Sequence, residues 1–101
     1  MEKGKIDVVE VGGAGLGLAT FEPGWRWSIH ERPAVGAEEP YCQVPHFVFL
    51  QRGRLTVEFE DGHQLHLSAG DVALIPAGHD GWVVGDEPAV MFDFAAAAHA
   101  P

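Results

Sequence analysis

Six histidines and one cysteine are the side chains of this 101-residue sequence with the widest chemical reach. Three of the histidines fall where short apolar stretches begin or run. His30 follows Trp25 and Trp27, His46 precedes Val48 and Leu50, and His79 comes just after Pro76-Ala77-Gly78. Alternate side chains of an extended segment share a face, so His46 is expected to point with Val48 and Leu50 into a core or cavity. Proline and glycine bend the chain before His79, which sets that imidazole at the mouth of a strand. A metal ion needs three or four ligands converging from different elements, and three histidines on separate strands supply that pattern. Neutral imidazole suits zinc, iron, copper, nickel or manganese, and three protein ligands with one open position is a catalytic arrangement. Cys42, four residues before His46, is a further candidate ligand, and its sulfur would shift the set toward zinc. The competing reading of each histidine alone is a core or surface residue satisfied by a backbone carbonyl.

The remaining polar residues divide less sharply. His63 beside a turn, His66 on an outward face and His99 near the C-terminus read as solvated. Arg32 could orient a carboxylate substrate through a bidentate pair, or serve as a solvent-facing ion-pair partner. Asp80 could hold the second N–H of His79, or cap a turn. The sequence offers no Ser-His-Asp set, paired carboxylates or Cys-x-x-Cys motif.

The elements that must position these residues are strands. Ile6–Val11 is rich in β-branched residues, and Leu18–Phe21 and Trp25–Glu31 read as strands separated by Pro23-Gly24. In Trp25–Glu31, Trp25, Trp27 and Ile29 share one face, with Arg26, Ser28 and His30 on the other. Val44–Gln51 and Arg54–Glu60 alternate cleanly, Asp61-Gly62 is a hairpin signal, and Val72–Ile75 and Ala89–Phe94 complete the pattern. Pro33–Pro40 is an acidic loop. Gly12–Gly17 lacks the third glycine of a dinucleotide fingerprint and the Walker lysine, so it reads as a flexible connection or bulged strand. Residues 95–101 are expected to fray. About nine short strands without an amphipathic helix indicate an all-β barrel or sandwich.

Composition narrows the partners. The length allows one domain, and 47% hydrophobic with 21% charged residues suits a globular core. A net charge of −9 with only six Lys and Arg argues against nucleic acid or an anionic membrane as partner. The single cysteine excludes an internal disulfide, and with no visible targeting segment the expected location is cytoplasmic.

Two stretches carry a family resemblance that together spans Gly24–Trp82. Gly70-Asp71, five residues, then Pro76-x-Gly78 is similar to the second motif of the cupin family. Gly24, five residues, His30 and, further on, His46 six residues before Gly53 resemble the first motif. Arg32 occupies the place of that motif's second histidine, His46 that of its glutamate, and His79 lies two residues ahead of Gly81, where the second motif has its histidine. The resemblance implies a small jelly-roll (double-stranded β-helix) barrel with its core over about 18–94, frequently a homodimer, with a divalent transition metal (Fe, Zn, Mn or Ni). The expected ligands are His30, His46 and His79, with Cys42 as a fourth and Arg32 toward the substrate. Two functions stay open: a metal-dependent dioxygenase or isomerase acting on a small polar organic molecule, and a non-catalytic small-ligand-binding or sensor barrel.

Overall fold

A computed structural model describes residues 1–94. The segment expected to fray, with His99, lies outside the described residues. Eight strands form two antiparallel sheets facing each other: β1 (Gly4–Val11), β2 (Ala14–Phe21), β3 (His46–Arg52), β4 (Arg54–Phe59), β5 (Gln64–Ser68), β6 (Val72–Ile75), β7 (His79–Val83) and β8 (Ala89–Asp93). The larger sheet runs β1-β2-β8-β3-β6 and the smaller β5-β4-β7. The expected all-β jelly roll is what the chain forms.

Alternation decides which side chains fill the space between the sheets. Val48 and Leu50 of β3 and Val57 of β4 are fully buried, joined by Phe21, Leu55, Leu67, Ile75 and Met91. His46 sits on the inward face of β3 and pairs across to Ile75 of β6. The inward face of β8 carries Ala89, Met91 and Asp93, so a carboxylate enters the barrel at the end where His46 begins its strand.

Two sequence expectations are corrected here. The glycine run is neither a flexible connection nor a bulged strand. Gly12 and Gly13, at φ of 57° and 84°, make the tight turn between β1 and β2, and Gly15 and Gly17 form the inward face of β2. A two-residue turn with positive φ at both positions matches the twist of the strands it joins.

The second correction concerns Trp25–Glu31, which is not a strand. After an isolated bridge from Arg26 to Trp82, Trp27–Glu31 coils into one π-helical turn that runs into a short helix, α1 (Arg32–Val35). Two of the polar residues of the apparent alternation, Arg26 and Ser28, are bound by a distant carboxylate instead of standing outside a sheet. Asp80 accepts from the Ser28 amide at 3.0 Å, the Ser28 hydroxyl at 2.8 Å and the Arg26 guanidinium at 2.9 Å. Pro33 in the first turn of α1 suits a helix start, where an amide donor has no intrahelical partner. Trp25 and Trp27 are buried as alternation suggested, whereas Ile29 is exposed.

Candidate metal centre

Backbone pairing brings a residue of the long loop beside the start of β7. Cys42 forms an isolated bridge with His79: its amide donates to the His79 carbonyl at 2.7 Å, and its own carbonyl accepts from Gly78 at 2.7 Å. The bend at Pro76–Gly78 and the start of β7 therefore carry Cys42 and His79 side by side. His46 joins them from the start of β3. The ligand atoms of Cys42, His46 and His79 all lie within 4.8 Å of one another.

Each imidazole is held through its other nitrogen. His79 Nδ1 donates to the Pro76 carbonyl at 2.8 Å, which fixes the tautomer and leaves Nε2 as a lone-pair donor. His46 Nδ1 lies 2.6 Å from Asp93 Oδ2, and its Nε2 is 3.7 Å from Cys42 Sγ. Orienting partners of this kind are what metal-ligating histidines normally have. A tetrahedral ion with Zn–S of ~2.3 Å and Zn–N of ~2.0–2.1 Å separates sulfur from nitrogen by roughly 3.6 Å. The observed 3.7 Å already matches, so the donor set fits a metal by chemistry and by spacing.

The electrostatics follow from the same contacts. Burial pushes the Cys42 thiol up, but hydrogen bonds to His46 and His79 outweigh it and draw the thiol down to about 6. Burial pushes His46 down, and the Asp93 carboxylate with the Cys42 sulfur overcomes this and raises it to about 9. In metal-free protein the pair is thus thiolate and imidazolium at neutral pH. Ultraviolet titration of metal-free protein is expected to show the Cys42 thiolate forming near pH 6, and His46→Gln is expected to move that transition upward. A wild-type transition in the ordinary thiol range near ~8.5 would refute the pairing.

His46 and His79 line a cavity of about 220 Å³, and Cys42 does not reach its wall. The body of the cavity is apolar, built by Phe21, Trp25, Trp27, Leu55, Val57 and Met91. Glu31 and Asp93 are its acidic wall residues. Burial raises the Glu31 pKa, aided by the charge of Cys42; His46, His79 and a hydrogen bond with Trp27 oppose the rise.

The expected site residues thus separate. Cys42, His46 and His79 come together, whereas His30 stays out of the group, its Nδ1 accepting from the Arg26 amide at 3.0 Å. Arg32 does not line the cavity; its guanidinium donates to the carbonyls of Glu38 at 2.9 Å and Glu39 at 2.8 Å, bracing the acidic loop. Asp80 serves Arg26 and Ser28, and the second nitrogen of His79 is held by Pro76. Sequence reasoning missed Glu31 and Asp93. Asp93 had a readable signal, the shared parity with Ala89 and Met91; Glu31 had none, because its orientation depends on the π-helical turn.

The Cupin domain family model matches residues 17–95. The chain belongs to the cupin family. No curated protein matches this cupin in sequence. Among solved structures it is similar to a sugar phosphate isomerase of the cupin superfamily from Silicibacter pomeroyi, at 21% identity and TM-score 0.64, covering 92% of this chain and 59% of that one. A Bacillus subtilis oxalate decarboxylase variant is 27% identical with TM-score 0.63; the match covers 92% of this cupin but only 26% of the decarboxylase chain. Peruvianin-I, a cysteine peptidase from Thevetia peruviana latex, matches at 17% identity and TM-score 0.60, covering 90% of this chain and 60% of the peptidase. The isomerase and peptidase likenesses show the fold alone. Among the described residues of this cupin, no helix is long and apolar enough to cross a membrane.

Proposed function

We propose that this cupin is a metal-dependent enzyme in which Cys42, His46 and His79 hold one divalent transition ion. The observation that carries this reading is the convergence of three donor atoms within 4.8 Å. A thiolate beside two imidazoles favours zinc over iron, manganese or nickel, and so favours isomerase-type proton transfer over dioxygenase chemistry. When bound, the ion would supply Lewis acidity at an open position on the cavity side. The chain's own residues do the rest. Asp93 and the Pro76 carbonyl keep both imidazoles oriented, the apolar wall excludes water, and the Glu31 carboxyl takes or returns a proton. Two of the three named enzymes among its structural neighbours, an isomerase and a decarboxylase, make a reaction on a small molecule a reasonable class.

A second reading has one observation behind it. Cys42 Sγ, His46 and Asp93 form a chain at 3.7 Å and 2.6 Å, the order of a thiol nucleophile, its base and the base's orienting acid. The nucleophile must face the substrate, and Cys42 does not reach the cavity wall, which favours the ligand role. Elemental analysis of tag-free protein purified without a nickel column tests the choice. Stoichiometric zinc supports the metal reading, and stoichiometric iron would restore the dioxygenase. If no metal is found even after reconstitution, the metal reading fails, leaving the thiol chain or a non-catalytic ligand-binding barrel as the account.

We further propose that two copies pair through the outward face of the larger sheet. Val9, Leu16, Leu18, Phe92, Phe49 and Leu74 are on strands that adjoin one another across that face, where an antiparallel sheet ordinarily presents polar residues. Five strands ~4.8 Å apart and ~20 Å long make a face on the order of 500 Å² in all, polar and apolar residues together. These six residues carry no charge, and Asp7, opposite Leu18 on the same face, is paired with Lys5 at 3.4 Å. Light scattering is expected to give twice 10.9 kDa, and Leu74→Glu, at a side chain 74% exposed, is expected to return the monomer mass without unfolding. A wild-type mass near 10.9 kDa would end the idea.

A further inference from the structure

Among the described residues lining the cavity there is no lysine or arginine, and two carboxylates, Glu31 and Asp93, are on the wall. We infer that the cavity selects a small ligand with a one-ring apolar body and a single non-anionic head that donates a hydrogen bond, such as an aryl alcohol or amine. The inference shares its cavity with the enzyme reading above but does not require the metal.

The body of the ligand follows from volume and lining. A dry cavity of ~150 Å³ lined by aliphatic and aromatic residues is large enough for benzene. At about 220 Å³ this one has room for a single ring with a short substituent and little more. Phe21 and Trp25 stack with ring centroids 3.8 Å apart, so the wall they contribute is already rigid. Trp27, Leu55, Val57 and Met91 complete an apolar surface that offers a sugar or a dicarboxylate nothing to bond.

The head of the ligand follows from charge. An anionic head normally meets an arginine or lysine, and the side chain best placed in sequence for that task, Arg32, is tied to the carbonyls of Glu38 and Glu39. Glu31 instead feels the charges of Cys42, His46 and His79, which puts its carboxyl at the same polar end of the cavity as the donor cluster. A carboxylate or phosphate arriving there meets the carboxyl groups of Glu31 and Asp93, and the His46 imidazole on the same wall is already paired with Asp93 at 2.6 Å. A hydroxyl or amine meets acceptors. The phosphate and oxalate in the names of two structural neighbours therefore meet no arginine or lysine on the described wall of this cavity.

Three probes share one ring and differ only in the head: benzyl alcohol, benzylamine and benzoate. Their binding is read from the fluorescence of the cavity tryptophans, Trp25 and Trp27, in metal-free and in zinc-reconstituted protein. Benzyl alcohol or benzylamine is expected to bind at least about tenfold more tightly than benzoate, the ratio that ~1.4 kcal/mol of discrimination produces. Glu31→Gln is expected to narrow that ratio severalfold by admitting benzoate, with circular dichroism confirming the fold. Benzoate binding as well as the others, an unchanged ratio in a folded Glu31→Gln protein, or no binding of any probe would each overturn the inference. The wild-type ranking tests it without any variant. The expected ranking in metal-free protein that takes up no metal would sink the metal reading and leave this inference standing.

Discussion

His46→Ala is expected to strip the proposed metal from a protein that otherwise stays folded. The variant removes one of three donors, and Cys42 with His79 alone cannot close a site around a divalent ion. Loss of a residue that merely orients a ligand typically costs 10–100-fold in metal affinity, so loss of the ligand itself should cost more than about 100-fold. Elemental analysis after dialysis is expected to fall from stoichiometric to background, with the far-ultraviolet circular dichroism unchanged. A folded variant that keeps its full metal would remove His46 from the centre. Asp93→Asn gives the graded counterpart. Its carboxylate holds His46 Nδ1 at 2.6 Å, and an amide keeps the shape but loses the charge. Metal affinity should drop by the ~10–100-fold of an orienting residue. In metal-free protein, where the Asp93 carboxylate helps raise His46 to about 9, the same change should lower the histidine's titration by NMR.

How much of this centre could be read from sequence depends on which physical signal placed each residue. His46 was legible because strict alternation with Val48 and Leu50 fixes its direction once the strand exists. His79 was legible because a proline and a glycine must turn the chain just before it. Cys42 was legible only as a neighbour in sequence; what delivers it is a backbone bridge to His79, and pairing between a loop and a distant strand leaves no local pattern. His30 was misplaced for the converse reason. A six-residue alternation of tryptophans and polar residues fits a strand, but Asp80, fifty-two positions from Ser28, binds the polar residues and lets the chain coil. Glu31 then turns toward the cavity and His30 toward the backbone of Arg26. Tertiary hydrogen bonds overrode the local period, and they overrode it in the segment that supplies an acidic group to the polar end of the cavity.

The same contrast between local and distant causes sets the expected result at Gly53, the glycine of the first family motif. Gly53→Ala is expected to destabilise the fold by roughly 3 kcal/mol or more, a large share of the ~5–15 kcal/mol typical of a domain. Two costs add. Gly53 adopts φ of 80°, where an L side chain loses about 1–2 kcal/mol. Its missing Cβ would also clash with the Pro88 carbonyl oxygen and stand 2.9 Å from the Ala89 Cα, both backbone atoms. Relieving that overlap must shift the start of β8, the strand whose far end carries Asp93 to His46. Gly62→Ala separates the two costs, because Gly62 has a φ of 89° with nothing within 4 Å of the added carbon. It should lose only the conformational share, ~1–2 kcal/mol. Urea unfolding of both variants measures the difference, and equal losses would mean that close packing against Pro88 contributes nothing. A larger loss at Gly53, accompanied by weakened metal binding, would tie this motif glycine to the centre through β8, which explains why a position remote from the ligands must be glycine.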